Sequence, residues 1–199
     1  MLVFSLDAFA GGGWVKSDGY GYYKLGQAWV SDLGYFSGDG DFASGLETTL
    51  LTTSLYAEHG VGKGVSLEGY LPIFVRHSVD GIITEEMEDV QFSDAVNGIG
   101  DANLGLRVQL MKKDFFAWSG TFTLGLPLGS PTLGERKNLF TGDGEFNQLI
   151  RTDVSAPFGG DKVGGYVTAY TAVNLRAKNF SNEWWYGFEV GVSALESKA

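Results

Sequence analysis

The chain carries two histidines, His59 and His77, and no cysteine. A catalytic histidine needs a nucleophile and an orienting group within hydrogen-bond reach. No such partner is legible, because neither G-x-S-x-G nor H-E-x-x-H occurs in the 199 residues. The absence of cysteine removes disulfides, thiolate metal sites and thiol nucleophiles. His59 follows the parity of Leu55 and Ala57, and His77 that of Val75, so both read as polar residues at an apolar, lipid-facing boundary. The Asp-Gly pairs within 38–41 and 141–145 lack the twelve-residue calcium-loop spacing, and turn chemistry accounts for them. Gly11-Gly12-Gly13 is no phosphate loop, since no strand precedes it and no helix follows. The expectation is a protein that is not an enzyme and uses no metal or cofactor.

A different chemistry is on offer. Glu58, Glu68, Tyr70, Arg76, Asp101, Asn103, Arg107, Arg151, Asp153, Tyr166, Tyr170, Arg176 and Glu189 fall on the polar parity of alternating segments. Charges of both signs, with tyrosines between them, suit a lumen lined by water and ion pairs. Charges taken out of water must pair or cost several kcal/mol. Such a network serves equally to hold a barrel shut or to line a selective path.

The segments that position these residues are long strands. Across 65–76, Val65, Leu67, Gly69, Leu71, Ile73 and Val75 alternate with Ser66, Glu68, Tyr70, Pro72, Phe74 and Arg76. Successive side chains of a strand point to opposite faces. Soluble strands run about five or six residues, whereas a tilted strand crossing a bilayer needs about nine to eleven. The same alternation predicts strands near 20–32, 48–59, 65–78, 99–110, 115–128, 145–156, 163–176 and 183–194. Loops are expected at 33–45, 79–98 and 129–144, with short turns at 60–64, 112–114 and 157–162. Alternating short and long connections are the habit of outer-membrane barrels. The parity assigns Leu71, Ile73, Leu104, Leu106, Phe122, Leu124, Val167 and Val190 to the lipid side. The acidic loop at 79–98 reads as solvated, or as a bridge to lipopolysaccharide through divalent cations.

Bulk composition agrees with that reading. Thirty glycines are roughly double average usage, and many fall inside apparent strands, as curled sheets require. A mean hydropathy of -0.01 contains no run of a membrane helix's length, which leaves a barrel open because half of each barrel strand is polar. A net charge of -10 argues against a nucleic-acid partner. Ala8-Phe9-Ala10 before the glycines matches a signal-peptidase site. Residues 1–10 are therefore read as the tail of a signal peptide and 11–199 as one barrel domain, truncated at its C-terminus.

Several ordered motifs support a family resemblance. They are Gly19-Tyr20-Gly21-Tyr22-Tyr23-Lys24-Leu25, then Thr53-Ser54-Leu55-Tyr56-Ala57-Glu58-His59-Gly60, then Gly69-Tyr70-Leu71-Pro72. Gly98-Ile99-Gly100-Asp101-Ala102-Asn103-Leu104-Gly105-Leu106 and Leu124-Gly125-Leu126-Pro127-Leu128-Gly129 follow. Together they resemble the outer-membrane β-barrel family associated with meta-pathway phenol degradation, with the XagA-like outer-membrane proteins beside it. The resemblance implies an up-and-down antiparallel barrel of about twelve strands, an even count, of which about eight are legible here. It also implies a bacterial outer-membrane location, contact with lipid, lipopolysaccharide and the barrel-assembly machinery, and a channel for small, partly apolar molecules. The alternatives are a non-transporting barrel that uses its external loops for surface interaction and, behind it, an outer-membrane hydrolase.

Overall fold

A computed structural model describes residues 12–36, 39–40, 42–85, 88–159, 163–178 and 180–194. The expected leader remnant at 1–10 lies outside them. The described chain is all β. Its strands are β1 (Gly21–Phe36), β2 (Phe42–Gly62), β3 (Val65–Glu85), β4 (Glu88–Gly98), β5 (Ala102–Lys113), β6 (Phe116–Leu126), β7 (Asn147–Gly159), β8 (Val163–Arg176) and β9 (Glu183–Ala194). Eight of them pair in the order β1-β2-β3-β5-β6-β7-β8-β9, every pair antiparallel, and the sheet curls into an open half-barrel. β4 stands off this path and pairs with the upper part of β3.

The stagger between strands is large. One row of partners runs Gly21, His59, Leu67, Leu106, Phe122, Ile150, Val173, Trp184. It begins at the first residue of β1, at the short-turn end, and finishes one residue inside the loop end of β9. Strands must tilt and shear in this way for a sheet to curl toward closure. Glycine makes room on the concave face: a Cβ at Gly191 would lie 2.2 Å from Tyr166 Cε1, and one at Gly187 2.8 Å from the Tyr170 ring. Each tyrosine covers the bare backbone of the next strand, the usual way a curled sheet protects strand glycines.

Two expected loops are largely strand. The ladder of β1 and β2 continues to Phe36↔Phe42, so most of 33–45 belongs to one long hairpin. β3 and β4 form a second hairpin from Val75↔Gly98 to Glu85↔Glu88 in place of the loop expected at 79–98. Neither stretch alternates clearly in sequence. Both stretches are held as strands by backbone ladders across their own hairpins, which a period-two pattern does not report.

The third departure is a β-bulge. Thr53 pairs with Phe74 and Ser54 with Pro72, which leaves Ile73 unpaired. An extra residue on one strand reverses the facing of everything beyond it. Below the bulge Ser66, Glu68 and Pro72 face inward as the alternation predicts. Above it Val75, His77 and Val79 are inward and buried, at 4, 5 and 4% exposure. Arg76 is therefore on the outer face, exposed, donating to Asn97 Oδ1 at 3.1 Å, and not on the lumen side. His77 likewise faces inward and not toward an apolar boundary. Since the chain holds no native cysteine, single-cysteine variants at 75, 76 and 77 check the reversal by thiol labelling. Position 76 should react fast and positions 75 and 77 slowly; the opposite order would mean a continuous register without the bulge.

Candidate functional site

The concave face gathers most of the charged residues singled out above, supplied by alternate positions of β2, β3, β5, β7, β8 and β9. Glu58 and Glu68 face each other across β2 and β3. Like charges placed so are unfavourable unless each finds a cation. Arg107 reaches Glu68, with Nε 2.5 Å from Oε1. Glu58, only 1% exposed, accepts from Ser66 Oγ at 3.4 Å and lies 3.9 Å from Lys16 Nζ. Arg151 holds Asp153 through both carboxylate oxygens, at 2.6 to 3.0 Å, and stacks over the Tyr170 ring at 4.0 Å. Tyr166 donates to Glu189. Tyr70 lies beside Asn103 and opposite Tyr56. These residues form one polar wall, and Arg76 alone of the thirteen candidates is turned away from it.

The loop end of this wall is covered. Residues 127–146 fold inward and are pinned at several points. Asp101 accepts from the backbone N–H of Gly129 at 2.8 Å and of Asp143 at 2.6 Å. Asp94 accepts from Glu135 N–H at 2.7 Å. His77 Nδ1 lies 3.1 Å from Phe140 N, and the two rings meet edge to face at 4.5 Å. Leu139 is 2% exposed, bridged to Leu133 within the loop. Arg176 binds Glu145 at 2.5 Å, Glu183 at 2.9 Å and Asp143 at 3.3 Å, which ties the loop to β8 and β9. Between the loop and β2–β3 remains a cleft of about 500 Å³, reached by Leu50, Tyr70, Val75 and Phe140. It is apolar for the most part, and the Asp101 carboxylate at its edge is committed to the loop backbone.

The short-turn end is covered too, by residues 12–20, which cross the concave face. Arg107 Nη1 and Ser119 Oγ donate to the Gly12 carbonyl at 2.9 and 3.1 Å. Gly13 N–H donates to Ser155 Oγ at 2.6 Å, and Gln109 Nε2 donates to the Gly13 carbonyl at 2.7 Å. Trp14 meets Tyr166 edge to face at 5.8 Å. Gly60 pairs with this strap through Gly19 N–H and the Tyr20 carbonyl. Sequence reasoning did not find the strap, because nine residues without alternation carry no periodic signal. Only its glycine run hinted at close backbone approach.

Among the described residues no group of three or more acidic, histidine or cysteine side chains could hold a metal ion. His59 sits at the outer rim, with Nδ1 2.8 Å from Tyr23 Oη. Compared with protein-family models, curated proteins and solved structures, the chain matches none of them.

Arg107→Met strands the Glu68 carboxylate and leaves the Gly12 carbonyl to Ser119 alone. It should destabilise the fold by about 3–5 kcal/mol, the usual loss when one partner of a buried pair is removed. Denaturant unfolding measures this, and Glu68→Gln in the same chain should recover part of the loss. At the loop end, the Asn174 amide donates to Glu183 at 3.0 Å, and this bond, then the nearby Arg176 guanidinium, holds the Glu183 carboxyl below the usual carboxylate range. A depressed folded pKa stabilises above the ordinary carboxylate value and is lost as pH falls through the depressed one. Proteolytic cutting of 129–144 should therefore rise on acidification, and Glu183→Gln should abolish its own share of that rise.

Proposed function

We propose that the chain forms the wall of a bacterial outer-membrane β-barrel that passes small, partly apolar molecules. One observation carries this reading: the sheet has a continuous apolar outer face and an ion-paired inner one. Leu25, Leu104, Phe188 and Val190 are 70, 55, 84 and 55% exposed, with Leu106, Phe122, Ile150, Val167 and Val173 between them. Soluble monomers rarely expose apolar patches beyond a few hundred Å². Strands of 11 to 21 residues meet or exceed the about nine to eleven that a bilayer crossing needs. Exposed Tyr23, Phe115 and Trp118 lie toward the short-turn end, and Trp184 and Tyr186 toward the loop end of β9. Aromatic rings at both edges of an apolar band suit the two membrane–water boundaries.

Lipid then surrounds the outer face, lipopolysaccharide meets the loop end, and barrel-assembly machinery inserts the sheet. β1 and β9 each pair on one side only among the described residues. An open edge of this length invites further strands, and in this reading they complete the bore. The motif resemblance to the meta-pathway phenol degradation family supports the same location and a small, partly apolar cargo. A second reading, a barrel that transports nothing, is favoured by one observation: the wall charges are paired and both ends are covered. Planar-bilayer recordings separate the two, because a transporting barrel gives stepwise currents and a structural one stays silent.

The membrane reading itself is tested by facing. Leu106→Arg, mid-strand on the outer side, should cost roughly 2–4 kcal/mol in lipid vesicles. Asn103→Arg, on the concave side, should cost far less. Equal effects of the two, measured by denaturant unfolding in vesicles, would refute a lipid-facing outer surface.

A further inference from the structure

The strap at 12–16 is held almost entirely through its backbone. Wall side chains satisfy both carbonyls of the Gly-Gly pair and the N–H of Gly13, and Gln109 Oε1 accepts from Val15 N–H at 3.1 Å. Gln109 thus bonds the strap twice, as donor and as acceptor. Two side chains supply further contacts: Trp14 on Tyr166, and Lys16 beside the buried Glu58. The seat also rejects anything larger than glycine at its centre. A Cβ at Gly13 would lie 2.2 Å from the Ala117 carbonyl oxygen, and Gly12 sits at φ +51° with Ser155 Oγ 2.6 Å from where a Cβ would be. The wall residues involved, Ser119, Ser155 and Thr168, are 0, 1 and 3% exposed.

We propose that the concave wall around Arg107, Gln109, Ser119 and Ser155 is a peptide-binding seat for a Gly-Gly-aromatic-x-Lys segment. The chain's own residues 12–16 occupy it and plug the bore at the short-turn end. Recognition comes from backbone hydrogen bonds, a size limit at two positions, an aromatic contact and one cation paired with Glu58. A wall that reads backbone in this way takes the same segment in trans whenever its own copy is displaced. The seat stands on the strap geometry alone, whereas its role as a plug rests on the channel reading.

The test uses the full chain carrying Gly13→Val, which evicts the strap by its clash with Ala117. The probe is a fluorescent synthetic peptide, Gly-Gly-Trp-Val-Lys-Ser, followed by anisotropy in detergent or vesicles. Saturable binding to the variant is expected, with little to the parent, whose seat is filled. A peptide with valine at its second position should not bind. Adding Gln109→Ala should weaken binding about tenfold or more, for two lost hydrogen bonds. In planar bilayers the Gly13→Val chain should carry more current than the parent, and the peptide should reduce it. Absence of saturable binding to the folded variant overturns the seat. Binding that leaves an existing current unchanged overturns the plug but keeps the channel. Binding by a variant that carries no current overturns the channel reading and keeps the seat. Should Gly13→Val not fold, Gln109→Ala with Ser155→Ala loosens the latch without a clash. Residues 12–20 should then become cleavable by added protease, and unchanged resistance would overturn the proposal.

Discussion

Everything in this half-barrel depends on the period of two along each strand. Backbone ladders fix which residues lie opposite one another, and alternation then decides which side chains see the apolar outside and which the polar inside. The row from Gly21 to Trp184 shows the constraint acting across the whole sheet, because each pairing transmits its register to the next. A single extra residue at Ile73 reverses the facing of the upper part of β3. That reversal puts His77 where it can hold Phe140, one of several points that pin 127–146 inward.

The inner face then has to solve an electrostatic problem. It carries Glu58 opposite Glu68, and Asp153, Glu145 and Glu189 besides, most of them buried. Each has a partner: Arg151, two residues before it on β7, for Asp153, and a group from another strand or from the strap for the others. Arg107 serves the wall and the strap at once, through Glu68 and the Gly12 carbonyl. Lys16 brings a cation to Glu58 from the strap. The two closures therefore contribute to the charge balance of the wall as well as covering its ends. Removing either leaves carboxylates or carbonyls without their present partners, at a cost that grows as water is excluded.

In the proposed channel this arrangement decides what must move. An inner face whose charges were unpaired would attract ions; one whose charges are all engaged passes cargo only after something moves. The loop at 127–146 is anchored by ion pairs at Arg176, and the strap by backbone hydrogen bonds at Gln109 and Ser155. The two ends are thus held by different chemistry. Ionic anchors respond to pH and salt, while glycine-backbone contacts respond to what competes for the seat.

The amino-acid sequence determined the class of fold, the strands at 163–176 and 183–194, and the facing of Leu104, Leu106, Arg107, Phe122, Asp153 and Val167. These follow from local alternation, which any stretch with one buried face displays to the reader. It did not disclose the extension of β1 and β2, or β4, because those strands are held by backbone ladders that leave no clear period in the sequence. Nor could it locate the bulge: Ile73 and Phe74 are both apolar, and only the pairing with Thr53 and Ser54 shows that the ladder skips one of them. The strap and the inward loop lay still further from view. Their contacts join residues up to 142 positions apart, as between Gly13 and Ser155, and no local pattern encodes a partner at that distance. Tertiary structure decided those contacts because curling the sheet brings β2, β5, β7 and β8 around a common interior, where a short polar segment finds donors on every side.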